Sequence, residues 1–524
     1  KALAMFGNTT AKKVTSSVGP EQEYFLIDKK KFAKRTDLKL CGRTLFGAMP
    51  PKGQELDDQY FAAIKDKIAS YMTELNEELW KYGILAKTQH NEVAPAQHEL
   101  APIFSTTNIA TDQNHLVMAT MKKIAAKHDL ECVLHEKTFA GVNGSGKHNN
   151  WSISTDEGEN LIDPGKHPET NLQFQFFLAA VLAAVDNNAE LLRLSASSAG
   201  NDHRLGANEA PPAIISAFLG EQLQSIVEQI IEKGEATESP KGKTYVSGAS
   251  TLPTFTMDAT DRNRTSPFAF TGNKFEFRMV GSTQSIAFPM MVLNTIVADQ
   301  IKKMTDELEG ADDFETACKA LIRRELTAHQ RIIFNGNGYS DEWVEEAAKR
   351  GLPNIKCMVD AVDYLATPEN IEMFEKHGVM SKRELVARGV VMYENYAKQI
   401  NIEALTMIEM SKKQIIPAVM KYEGTLAASV KDLKELGISA DTQMEILSTI
   451  DTKLAELKKA TAELEDIVAK AAEKEDDPKA WAKYYHDVVF AFFDTVRKPA
   501  DELEKIVDAK AWPFPTYEEL LFEQ

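Results

Sequence analysis

A change of texture near Gly281 constrains the fold of this chain more than any other feature. Before it, short alternating segments such as Tyr24-Phe25-Leu26-Ile27 stand among helical patterns over residues 61–82 and 172–194. Residues 206–278 are rich in Gly, Pro, Asn, Ser and Thr. A period of two predicts strands, and long runs of turn-forming residues predict loops that serve a site. After Gly281 helical spacing dominates almost to the end. Leu447, Ile450, Leu454, Leu457, Thr461, Leu464 and Val468 recur at intervals of three and four residues, the seam of a coiled coil or helical hairpin around residues 440–475. A helix packed on its own domain gives the same two-faced pattern and is the commoner case. A break at residues 473–478 precedes a further helix over 481–496, and Pro499 sits where a new helix could start. The expected class is α+β followed by a long helical C-terminal extension. Residues 1–18 read as the end of an upstream segment or linker, 19–300 as the core that carries the motifs, and 301–524 as mostly helical.

Composition removes several function classes. Asp and Glu number 78 against 60 Lys and Arg, a formal charge of −18 that repels phosphate backbones, so nucleic acid is not expected as a partner. Hydrophobic residues at 43% and charged residues at 26% describe a folded chain rather than a disordered or fibrous one. The longest apolar stretch, Phe176 to Val185, is ten residues long, about half of the ~20 needed to cross a bilayer. No secretory signal can be read, and the chain begins at Lys1 rather than Met. Cys41, Cys132, Cys318 and Cys357 form no CxxC pair, so a disulfide framework and a zinc–cysteine site are both unsupported and a reducing cytoplasm fits best.

The chemistry-bearing residues fall in ordered clusters. Glu21 and Glu23 are two apart in an expected strand, which puts both carboxylates on one face. On an exposed face water screens such a pair; in a cleft the pair needs cations. Asn91-Glu92-Val93-Ala94-Pro95-Ala96-Gln97-His98-Glu99 sets two more carboxylates around a proline turn. Gly141-Val142-Asn143-Gly144-Ser145-Gly146-Lys147-His148 satisfies GxxxxGK of a P-loop and fails at His148, where Ser or Thr should hold magnesium. Residues 149–154 alternate like a strand, whereas a P-loop must open into a helix, so the P-loop is rejected. What survives is a glycine-rich approach of backbone to a ligand, ending in an imidazole. Asn201-Asp202-His203-Arg204, Glu209, Asp261-Arg262-Asn263-Arg264 and Lys274-Phe275-Glu276-Phe277-Arg278 follow. In the last, Lys274, Glu276 and Arg278 share one strand face, and Phe275 and Phe277 take the other. Alone that row could be a surface ladder; beside four other carboxylates and a histidine it reads as a site for metals and anions.

In order along Gly19 to Gly281, the segments GPEQEYF, NEVAPAQHE, NGSGKHNNWS, HRLGANEAP, NRTSPFAF and KFEFR resemble glutamine synthetase. Their wording, with the helical extension, is similar to the large type III class. The resemblance implies a catalytic domain built on a curved antiparallel sheet with helices. It implies that Glu23, Glu92 and Glu99 hold one divalent cation and Glu21, His148 and Glu276 another. Such oxygen-rich donors suit Mg²⁺ or Mn²⁺, two or more per site, and the lack of nearby thiols argues against zinc. By the same resemblance Asn143, Gly144, Arg204 and Arg278 bind glutamate, and Asn150, Ser152, Arg264 and Lys274 face ATP. Glu209 matches the flap carboxylate, and Glu209, Arg264 and Arg204 are the expected catalytic residues.

The implied activity is ATP-dependent ligation of ammonia to glutamate through a γ-glutamyl phosphate, by a cytoplasmic homo-oligomer built from rings, a dodecamer by resemblance. Two other readings share these motifs: a γ-glutamyl ligase for another amine, and a non-catalytic scaffold paralogue. The chain also departs from the family pattern. Ala269 stands where shorter members carry a phosphate-side Arg, and Lys274 keeps the charge of their Arg but loses its fork. The family places a β-grasp domain ahead of the first metal motif, and eighteen residues precede Gly19. The expectation is therefore either the C-terminal part of a longer protein or a member with an incomplete site.

Overall fold

The long strand β1, Val14–Asp28, organises the first half of the chain. Its period of two buries Val18, Tyr24 and Leu26 on one face and leaves Glu21 and Glu23 on the other. A computed structural model describes residues 1–87, 89–239 and 264–524, with the backbone of 244–245 and 255–256. The further strands are β2 (His90–Asn91), β3 (Gln97–Leu100), β4 (Ser105–Thr106), β5 (Leu130–Val133), β6 (Gly146–Thr155) and β7 (Ala217–Phe218). Beyond them come the two-residue β8 (Thr244–Tyr245) and β9 (Phe255–Thr256), then β10 (Phe268–Phe270) and β11 (Phe275–Gly281). The main sheet runs β2-β3-β1-β6-β11-β10-β7, with β4 and β5 also on β1. The expected antiparallel sheet holds for every described pair except β7 with β10, which is parallel, so the sheet is mixed. Residues 149–154 lie in β6, in keeping with the rejection of a P-loop.

Two helices cover Tyr24 and Leu26. The Asp66–Lys81 helix buries Ile68, Tyr71, Met72, Leu75 and Leu79, a stripe at helical spacing, and the Thr107–Lys127 helix closes the same cluster. Farther along the same face, Val18, Trp151, Phe275 and Phe277 join the main core with the Leu172–Asn187 helix, whose residues 174–186 are all buried. The helix expected over 172–194 is two, Leu172–Asn187 and Ala189–Ser195, separated at Asn188. Residues 1–18 hold a short helix, Ala2–Met5, and the first five residues of β1, which pair with β6. Residues 261–263 of the Asp261–Arg264 segment, and most of the loop leading to it, lie outside the described residues.

The helical region begins with Ala287–Leu308, which runs across position 300. Its long members are Lys382–Met410, Ile416–Glu435 and Asp441–Ala471. The hairpin therefore spans Ile416–Ala471, wider than 440–475. The seam residues Ile450, Leu457, Thr461 and Leu464 are buried, and their helix packs on Ile416–Glu435 and Phe493–Glu504 of the same chain. Pro499 lies inside Phe493–Glu504 rather than at a helix start. The terminal helix Tyr517–Phe522 returns to the sheet, where Tyr517, Leu520 and Leu521 pack with Phe25, Ile27 and Phe139. It thereby covers the Glu21 and Glu23 face of β1 from Phe25 onward, and the uncovered part is the cleft.

Candidate active site

Strand register assembles the cleft. Glu21 stands opposite His148 across β1 and β6, Glu23 opposite Glu99 across β1 and β3, and Asn150 opposite Glu276 across β6 and β11. Because alternate residues share a face, three strands and the neighbouring β3 deliver these groups to one side of the sheet. His148 Nδ1 lies 3.0 Å from Glu276 Oε1 and 3.4 Å from Glu21 Oε2, and its Nε2 lies 3.6 Å from Glu23 Oε1. Asn150 donates to Glu21 Oε1 at 2.9 Å, and Arg278 donates to Glu276 Oε1 at 3.2 Å. The backbone N–H of Gly146 donates to Glu23 Oε2 at 2.6 Å. Glu92 enters from the β2–β3 turn, which Ala96 completes at φ +66°.

Two ligand trios result among the described residues: Glu21, Glu99 and His148, and His90, Glu92 and Glu99. The expected partners Glu21 with His148, and Glu92 with Glu99, are together. Glu99 serves both trios, while Glu23 and Glu276 stand beside them, and His90 is an addition that the sequence reading missed. Its signal was available, because His90 and Glu92 are two apart as Glu21 and Glu23 are.

Above the carboxylates, Arg264 donates to Glu209 Oε1 at 2.7 Å and Asn143 donates to Glu209 Oε2 at 3.3 Å. Asn208 and Glu209 both have positive φ, 54° and 67°, a strained loop geometry for residues with a Cβ. Tyr60 lines the cleft with its ring 5.5 Å under the Arg264 guanidinium and 5.0 Å from the His90 ring. Gln54, six residues earlier, bonds Asn143 in both directions at 2.8 Å. Neither Tyr60, in the one-turn helix Asp58–Phe61, nor Gln54, in an irregular segment, carries a sequence signal, since each is far from any motif.

Other expected residues sit apart from the cluster. Arg204 does not line the cleft: its guanidinium is buried and donates to the carbonyls of Arg278, Met279 and Val280. Gly144 has no room for a side chain, since a Cβ would lie 2.3 Å from the Glu136 carbonyl oxygen. Ser152, two residues beyond Asn150, donates to Asn160 at 3.0 Å, and half-buried Lys274 precedes β11, two before Glu276. Both lie along the strands away from His148. Ala269 is buried opposite Glu276 and brings no charge of its own there. A larger cavity of about 620 Å³ lies behind Trp151 on the opposite face of the sheet, but its lining is mostly apolar and the titratable cluster belongs to the smaller cleft.

The descriptions of two glutamine synthetase domains match the chain, the catalytic domain over residues 2–216 and the C-terminal domain over 317–434. The chain is 49% identical to a glutamine synthetase of Butyrivibrio fibrisolvens, across 100% of this chain and 75% of that one. It is 42% identical to the type-3 glutamine synthetase of Dictyostelium discoideum, across 99% of this chain and 72% of the relative. A glutamine synthetase of Bacteroides fragilis is 40% identical across 97% and 72%. The chain belongs to the glutamine synthetase family.

In this member of the family the electrostatics of the cleft call for added positive charge. Burial, then the carboxylates of Glu23, Glu99 and Glu209, push the Glu92 carboxyl well above its ordinary value. Burial alone would raise Glu21 as well, but its hydrogen bond to His148 and the charge there hold it below the ordinary value. His148 resists burial and the nearby Arg278 and is pushed up to about 10 by Glu21, Glu276 and Glu23. Its Nε2 is buried and makes no hydrogen bond. Crowded carboxylates around an imidazole nitrogen that makes no hydrogen bond fit a hard divalent cation.

Proposed function

We propose that this chain carries the catalytic part of an ATP-dependent glutamate–ammonia ligase. The observation that carries the reading is the crowding of Glu23, Glu92, Glu99 and Glu209 in one cleft with Arg264 and Arg278, which suits cations below and an anionic substrate above. The side-chain carboxylate oxygen of glutamate displaces ADP from the γ-phosphorus of ATP, and ammonia then displaces phosphate from the resulting γ-glutamyl phosphate. Glutamate lies along Asn143, Gly144 and Arg278, and Arg204 acts on it through the β11 backbone alone. The nucleotide lies along Asn150, Ser152, Arg264 and Lys274. Glu21, Glu99 and His148, and Glu92 with Glu99 and His90, would hold Mg²⁺ or Mn²⁺, with Glu23 and Glu276 adjoining. When bound, these ions neutralise charge on the moving phosphoryl group. Glu209 takes a proton from ammonium, and its loop, held by Arg264 and Asn143, shields the intermediate from water. No helix among the described residues is long and apolar enough to cross a membrane. We place the protein in the cytoplasm as a ring-built homo-oligomer.

The test is phosphate release from ATP by the full-length protein with Mg²⁺. The expected result requires both glutamate and ammonium, yields glutamine, and is lost in Glu209→Ala. Release with methylamine but not ammonium would replace the reading with an amine ligase. ATP binding without release under any amine would replace it with a scaffold.

A further inference from the structure

The ladder between β6 and β11 is irregular where it matters. Phe277 pairs with Asn149 but Val280 pairs with Lys147, so the register shifts between them, around Arg278. A bulge of this kind re-aims a side chain and leaves backbone groups without ladder partners. The short helix Ala199–Arg204 supplies the missing donors. Asn201 Nδ2 donates to Met279 O at 2.6 Å, and Arg204 reaches the carbonyls of Arg278, Met279 and Val280 at 3.3, 3.3 and 3.5 Å. Asn201 and Arg204 are three apart and so face the same way, toward the sheet.

The two residues between them face the C-terminal helices. Both carboxylate oxygens of Asp202 accept from the backbone N–H of Met358, at 3.0 and 2.9 Å. The His203 ring packs 4.8 Å from that of Phe490, and its Nε2 stands 4.0 Å from Glu403 Oε2 on the Lys382–Met410 helix. Glu403 in turn accepts from Arg43 at 2.7 Å. His203 Nε2, Glu403 Oε1 and Arg43 Nε are all buried without a hydrogen bond, so a polar joint surrounds this helix where apolar packing would have served.

We infer that the helical C-terminal region is a positioning element for the cleft: through Asp202 and through the His203–Glu403–Arg43 joint it sets the Ala199–Arg204 helix, which sets the bulge that aims Arg278, the donor to Glu276. The inference rests on the cleft being the metal and substrate site proposed above. Residues 358 and 403 thus act on the reaction without touching it.

Glu403→Gln in the full-length protein tests this, because it keeps the shape of the side chain and removes its charge. Two readouts are taken: Mn²⁺ binding, and hydrogen exchange of the amides of residues 275–283. The expected result is Mn²⁺ binding weakened roughly tenfold, the low end of what misplacing the groups that orient metal ligands does. Exchange over 275–283 should quicken by roughly tenfold while that of β1 stays unchanged. Asp202→Asn, which loosens the other contact, should do the same if Glu403→Gln fails to fold. Lys398→Ala, which removes an exposed pair with Glu394 on the same helix, should change neither readout. Unchanged binding and exchange in a folded Glu403→Gln protein, whatever its melting temperature, would overturn the inference. Wild-type protein that binds no Mn²⁺ would instead defeat the proposed function, and the exchange readout would still decide the coupling.

Discussion

Glu92 states the conflict of this cleft in one side chain. Its carboxyl is buried among the charges of Glu23, Glu99 and Glu209, so the arrangement that suits a cation destabilises the chain without one. Glu92→Gln removes one of the crowded charges and keeps the shape. The metal-free variant should therefore be more stable than wild type by about 1 kcal/mol, while its affinity for Mn²⁺ falls. Paired thermal melts with and without Mn²⁺ check both signs, and a variant less stable in the absence of metal would refute the argument. Arg204 teaches a different lesson at this scale. Resemblance puts it at the glutamate; in the structure its guanidinium donates to three backbone carbonyls, and a cation is the natural donor for carbonyls that a bulge leaves unpaired.

At the scale of elements, the glycine-rich run over 141–148 is explained by what packs against it. A Cβ on Gly144 would meet the Glu136 carbonyl oxygen, and one on Gly146 would lie 2.1 Å from Arg204 Nη2. Gly144 and Gly146 thus make room for Arg204, while Gly141 makes room for Met49. Gly146→Ala should displace that guanidinium and cost about 2 kcal/mol, whereas Gly158→Ala, with open space around its Cβ, should cost about 1 kcal/mol for its positive φ alone. Denaturant midpoints of the two variants give the comparison, and equal costs would sink the packing argument. What the sequence reveals about the site follows the same division. That Glu21 and Glu23 share one face, and Lys274, Glu276 and Arg278 another, was legible because period-two alternation is a local property; His148 joined them by resemblance alone. The bulge near Arg278, the parallel pairing of β7 with β10 and the entry of Tyr60 were not, because each depends on contacts made far along the chain.

Across the whole molecule, the C-terminal helices grip the catalytic half at a second place. Arg497 donates to Gly47 O at 2.9 Å, Asp501 accepts from Gly47 N at 2.7 Å, and Glu504 accepts from Ala48 N at 3.2 Å. Gly47 is pressed so closely on the Tyr517 ring that a Cβ would lie 2.1 Å from it. These contacts fix the root of the segment that carries Gln54 and Tyr60 into the cleft, so the helical extension braces the site from two directions. The sequence showed the helices but not this grip, because helical periodicity records which face is apolar and not which partner covers it. One group in the grip titrates in an accessible range. Burial raises the Glu504 carboxyl to about 7, and Asp501 adds to it, against the opposing pull of Ala48 N–H, Arg35 and Arg497. A carboxyl whose folded value lies above its unfolded one favours folding most below the unfolded value and loses that contribution as pH rises through about 7. Glu504→Gln cannot ionise and escapes the loss. The variant should therefore match wild type near about pH 4 and exceed it by ~1–2 kcal/mol near about pH 8, a range reduced for partial exposure. Denaturant midpoints across that window decide the point: a difference that stays flat, or that shrinks as pH rises, would mean that Glu504 is ionised throughout and acts as an ordinary partner of Arg35 and Arg497.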